Sequence, residues 1–152
     1  MRSILASFST VLLLVGAATP AVASSPITAT VTSGTLSARI LVTISFDVVC
    51  EPINDFLNTG VTDAAMGARV TVDQANGRSI AHAEAGDTMP FGPHVVCDGT
   101  TVNHESISAL SSTVPFHGGA AVVGLSVNVD DPACVFCGGN EFTSSQTVIK
   151  LR

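Results

Sequence analysis

The feature that most constrains this chain is a run of strict alternation. From Arg39 to Cys50 the even positions are Ile40, Val42, Ile44, Phe46, Val48 and Cys50, while Thr43, Ser45 and Asp47 occupy odd ones. Successive side chains of a strand point to opposite faces, so this period of two predicts a half-buried strand whose core face includes Cys50. The same period returns from Gly119 to Val129. Ala121, Val123, Leu125, Val127 and Val129 share one face there, and the small or polar Gly124, Ser126 and Asn128 share the other.

Turn chemistry supplies the connections. In "ARVTVDQANGRSIAHAEA" the pair Asn76-Gly77 has the residues of a two-residue type I′ turn, in which both positions take positive φ. That loop sets Gln74 opposite Ser79, Val72 opposite Ala81 and Val70 opposite Ala83. On the other face Thr71 meets His82, and Arg69 meets Glu84 in a cross-strand ion pair worth ~0.2 to 1 kcal/mol. Asp98-Gly99 in "HVVCDGTTVNHESIS" predicts a second hairpin, with Val95 opposite Val102 and Cys97 beside the turn. "PITATVTSG" and "SQTVIKLR" read as two further strands. The only helical period is a single turn over Pro52 to Asn58, through Ile53, Phe56 and Leu57.

Short strands with Gly, Asn and Asp turns at close spacing predict an all-β fold, an antiparallel immunoglobulin-like β-sandwich of seven to eight strands. The chain has no Trp, so the core tryptophan of a true immunoglobulin domain is missing. A closed barrel is the alternative. The loops large enough to carry a function are 51 to 66, 86 to 93, 111 to 118 and 130 to 141.

The opening residues give an address. Arg2 supplies a positive start, Ile4 to Gly16 is an apolar stretch too short to span a bilayer, and Pro20 precedes the small-residue cleavage site Ala21-Val22-Ala23. Residues 1–23 are expected to be a signal peptide and 24–152 a single β-sandwich domain, secreted and without a membrane span once the signal is removed. The chain carries 12 Asp and Glu against 6 Lys and Arg. Outside the leader it has one lysine, Lys150, with arginines at 39, 69, 78 and 152 spaced far apart in sequence. Phosphate backbones demand clustered cations, so nucleic acid is set aside as a partner, and anionic membranes with it. The absence of Trp and Tyr removes the usual stacking platforms for sugars.

Four cysteines, Cys50, Cys97, Cys134 and Cys137, allow three pairings, and in an exported chain oxidation is the default. Cys50 with Cys97 and Cys134 with Cys137 is the preferred set. Chain entropy makes the first worth ~4 kcal/mol and the second ~2 kcal/mol. Strict up-and-down alternation through both hairpins, however, places Cys50 and Cys97 at opposite ends of the sandwich. Either the 51 to 66 connection breaks the alternation, or Cys97 pairs with the 134/137 loop. A redox role for "CVFC" needs a helix N-terminus to lower a thiol pKa, and Gly138-Gly139-Asn140 follows instead. A zinc site is the sharper rival: His94, Cys97, Cys134 and Cys137 form a Cys₃His set, although His94 and Cys97 stand three apart on a strand and so face opposite ways.

His82, His94, His104 and His117 are far apart in sequence. Asp130, Asp131, Asn140 and Glu141 flank the "CVFC" loop as oxygen donors, without the alternating spacing of a calcium loop. No nucleophile elbow, zinc-hydrolase helix or phosphate loop occurs. No catalytic residue, cofactor or resident metal is therefore expected.

The strand ending "ISFDVVC", the "VTVDQ" strand, "VVCDGT" and the late "FHGGAAVVGLSV" resemble a family of small exported actinobacterial proteins of uncharacterised function. The resemblance implies a β-sandwich in which Cys50 and Cys97 are partners, with the "CVFC" pair an addition. A looser likeness, in composition and fold class, is to the chromophore-carrying apoproteins of the neocarzinostatin group. The function expected is that of an exported non-enzymatic binding or structural module, with a carrier of a small apolar ligand and a zinc-binding protein as alternatives.

Overall fold

A computed structural model describes residues 27–53, 60–87, 92–133 and 141–152. The expected signal peptide with its cleavage site, most of the expected Pro52 to Asn58 turn, Cys134, Cys137 and Asn140 lie outside the described residues. The described chain is all-β: β1 (Ile27–Ser37), β2 (Leu41–Cys50), β3 (Asp63–Asn76), β4 (Ser79–Asp87), β5 (His94–Val96), β6 (Asn103–Leu110), β7 (Gly119–Asp130) and β8 (Glu141–Leu151).

The strands form one mixed sheet in the order β4-β3-β7-β8-β1-β2-β6, with β5 paired to β3. All neighbours are antiparallel except β1 and β8, which run parallel and meet at Gly34 and Leu151. The two ends of this path approach each other through a bridge between Ala83 and Ser111, so the sheet curls almost into a barrel. The core lies within it. Val42, Ile44, Phe46, Val48 and Cys50 of β2 and Ala121, Val123, Leu125, Val127 and Val129 of β7 are all buried, the faces that alternation predicts.

Three local expectations are corrected. Ile40 belongs to the β1–β2 turn and is 49% exposed, because Ala38 and Arg39 take φ of 51° and 63° and reverse the chain before β2 begins. The β3–β4 loop is Gly77-Arg78, not Asn76-Gly77. Gly77 has φ 64° and Arg78 does not share the positive sign, which fits a II′ turn with glycine first. Val72 therefore faces Ala83, Asp73 faces His82, and Thr71 faces Glu84. The offset from the expected register is two residues, so parity is kept and the apolar face stays inside. Arg69 still reaches Glu84, now on the diagonal.

The third correction concerns Asp98-Gly99, which is not a hairpin. β5 pairs antiparallel with the start of β3, Val95 opposite Ala64, and β6 pairs with β2, Asn103 opposite Val48. Since β4 is also antiparallel to β3 and lies on the same edge, β5 runs in the same direction as β4 and continues it. Residues 97–102 then carry the chain from the edge of β3 to the edge of β2.

Candidate functional site

Two places concentrate polar chemistry: the end where β2, β5 and β6 meet, and a depression on the outer face of β3, β7 and β8.

At the first, Cys50 and Cys97 form a disulfide between residues that are 1% and 0% exposed. Alternation puts Cys50 on the inner face of β2, and the reversal after β5 carries Cys97 to it. The Cys97 N–H donates to the Thr62 carbonyl at 2.8 Å, and the Gly99 N–H donates to the Cys50 carbonyl at 2.9 Å. Asp98 organises the crossover. Its Oδ1 accepts the N–H groups of Thr100 and Thr101 at 2.8 and 2.6 Å, and its Oδ2 accepts the Thr101 hydroxyl at 2.7 Å. These bonds, led by the Thr101 N–H, hold the Asp98 carboxyl well below its ordinary value. Asn103 fastens the crossover to both β5 and β2: its Oδ1 accepts the Val96 N–H at 2.9 Å, and its Nδ2 donates to the carbonyls of Val96 at 2.9 Å and Val48 at 3.2 Å. Glu105, next along the inner face of β6, has its carboxyl pushed up by burial.

The disulfide removes Cys97 from the hypothetical zinc set, since a sulfur bonded to sulfur is no thiolate ligand. His94 points the other way, exposed, with its Nδ1 3.0 Å from Asp63 Oδ1. Asp130 and Asp131 at the end of β7 are 0% and 2% exposed, each accepting a backbone N–H, from Asp131 and Ala133 respectively. Among the described residues, no group of three or more His, Cys, Asp or Glu side chains gathers as a metal site.

Three histidines each face an aspartate through Nδ1: His82 with Asp73 at 2.7 Å, His104 with Asp47 at 2.7 Å, and the His94 pair above. Such dyads orient a general base when a nucleophilic hydroxyl sits on Nε2. No described hydroxyl does so here, and all three pairs are surface pairs between adjacent strands. His117 instead bonds backbone, its Nε2 3.1 Å from the Ala75 carbonyl.

Compared with protein-family models, with curated proteins and with solved structures, the chain matches none.

The depression on the outer face has a volume of about 600 Å³ and is lined by Arg69, Thr71, Gly124, Ser126, Ser144 and Gln146 among others. Gly124 is its floor: a Cβ there would stand 2.6 Å from Thr71 Oγ1, so only glycine leaves the space open. Hydroxyls, an amide and a guanidinium shared with Glu84 line it together with apolar surface that includes Leu125.

Sequence reading missed the distribution of cations. Arg39 lies in the β1–β2 turn, Arg78 in the β3–β4 turn, and Lys150 and Arg152 at the end of β8 beside β1, where the Leu36 N–H donates to the Arg152 carbonyl at 2.7 Å. Strand pairing puts all four at the end of the body opposite the disulfide. Residues dispersed along the sequence thus share one end of the body.

Proposed function

We propose that the chain is an exported, non-enzymatic binding or structural module acting at or beyond the cell surface, related to the small actinobacterial exported proteins that its motifs resemble. The observation that carries this reading is the buried Cys50–Cys97 bridge, because disulfides form and persist in oxidising compartments. The apolar leader supports the same address. The body is read as an immunoglobulin-like sandwich, one layer β4-β3-β7-β8 and the other β1-β2-β6. In support, strand pairing among the described residues joins the layers only through narrow seams, one at Gly34 and Leu151 and one at Ala83 and Ser111. The non-enzymatic reading draws on the exposed histidine pairs, none completed by a nucleophile among the described residues. Recognition then belongs to the outer faces and the ends.

The test is fractionation of cells expressing the chain, followed by mass spectrometry without reductant. The expected product lies outside the cell, begins at Ser24 and yields a linked Cys50–Cys97 peptide. Full-length protein retained inside the cell with free thiols would overturn the proposal.

A further inference from the structure

We propose that the end of the body opposite the disulfide is a docking surface for an anionic lipid membrane. Arg39, Arg78, Lys150 and Arg152, four of the five Lys and Arg outside the leader, stand there and are exposed. None of the described Asp or Glu residues lies in the turns at that end or in the last two residues of the strands that feed them. The nearest along a strand is Asp73, which faces His82.

Large apolar side chains stand among these cations. Ile40 follows Arg39 in the turn, Ile80 follows the Arg78 turn, and Leu110 ends β6 opposite Leu41; they are 49%, 62% and 62% exposed. A free polyanion has no use for such groups. The interface of a bilayer takes both kinds, with apolar side chains at the acyl boundary and cations at the headgroups.

The turn that presents Arg39 and Ile40 is held in an unfavourable conformation. Ala38 and Arg39 are the only non-glycine residues with positive φ among those described. The 111–116 segment pins it: the Phe116 N–H donates to the Arg39 carbonyl at 2.8 Å, and the Ser111 N–H donates to the Ile40 carbonyl at 2.7 Å. Phe116 itself is fully buried as the plug under this end.

Net negative charge does not oppose this docking. The ten-residue β2 separates the two ends, and such a strand spans ~33 Å, several times the ~8 Å Debye length at physiological salt. The carboxylates beside the disulfide, Glu51, Asp63 and Asp98, are therefore screened from the bilayer.

The proposal deepens the reading as an exported module and rests on it for the membrane face encountered. Its test uses purified oxidised protein, so it succeeds or fails independently of export. Flotation is measured with vesicles of phosphatidylcholine alone and of phosphatidylcholine mixed with phosphatidylglycerol. Binding to the mixed vesicles alone, weakened by salt, is expected. R39Q/R78Q is expected to weaken it about 25-fold, about fivefold per cation. I40S/L110S should weaken it without abolishing the salt dependence. R69Q, at the outer depression, should bind as the parent does, and thermal melts of each variant confirm folding. Equal binding to both vesicle types, no binding to either, or folded variants that float like the parent would overturn the proposal. So would capture by soluble polyphosphate that I40S/L110S leaves unchanged, or head-to-tail self-association abolished by R39Q/R78Q in place of vesicle binding.

Discussion

Removing the Cys50–Cys97 bridge tests the architecture most directly, and the structure fixes the size of the effect. The linked residues are separated by 47 positions. Closing a loop of that length in the unfolded chain removes entropy worth ~4 kcal/mol at 25 °C. Domains of this size are stable by only about 5 to 15 kcal/mol, so C50A/C97A should lose a large share of the total. Both sulfurs are buried, and the space left by their removal adds a smaller cost of the same sign. Urea unfolding of the parent and the double variant, both without reductant, isolates this bridge from the other cysteines. A drop in unfolding free energy near 4 kcal/mol is expected, together with a larger m-value as the released unfolded chain expands. A loss below about 1 kcal/mol with an unchanged m-value would refute the reasoning, since the two strands would then not be cross-linked as described.

Gly124→Ala should destabilise by about 1 to 3 kcal/mol, because its Cβ meets Thr71 Oγ1; adding T71A should recover most of that loss in a double-mutant cycle by denaturation. Gln74 is buried, its Oε1 accepting the His117 N–H at 2.9 Å and its Nε2 donating to the carbonyls of His117 at 2.9 Å and Ala120 at 3.2 Å. Q74L should therefore cost about 1 to 3 kcal/mol and speed amide exchange at His117. Asp98 has a depressed folded pKa, so its contribution is present above the unfolded value and lost as pH falls below the carboxylate range. The stability gap between parent and D98A should close on acidification through that window, as chemical denaturation at a series of pH values would show. Glu105 has the opposite sign: its raised pKa gives stability at low pH that is lost as pH rises through the folded value. E105Q should be more stable than the parent at pH 7, and that advantage should vanish in acid.

The parts of the fold written in local pattern were legible. β2 and β7 announce themselves by alternation over ten or so residues, and only burial on one face produces that pattern. The β3–β4 hairpin was legible in its faces but not in its loop. Asn-Gly and Gly-Arg both supply a glycine turn, and a two-residue offset preserves parity, so the hydrophobic pattern does not choose between them. The polar depression was not legible, because its six named residues come from three strands whose adjacency is a property of the sheet order β3-β7-β8.

The direction of β5 accounts both for the preferred Cys50–Cys97 pairing, which the structure shows, and for where β8 ends. Reading a reversal between β4 and β5 makes every later strand run the wrong way. Cys97 then lands far from Cys50, and the end of β8 lands beside the disulfide. In the structure β5 continues β4 along the same edge of β3. With that single change, β6 runs antiparallel to β2 from the disulfide end, β7 returns, and β8 finishes beside the β1–β2 turn. The same parity therefore brings Cys97 to Cys50 and Arg152 to the end that holds Arg39 and Arg78. The covalent clasp and the cationic end are two consequences of one topological fact. A linked Cys50–Cys97 peptide consequently supports the placement of the cations, whereas proof of a Cys97 bond to Cys134 or Cys137 would undo both together.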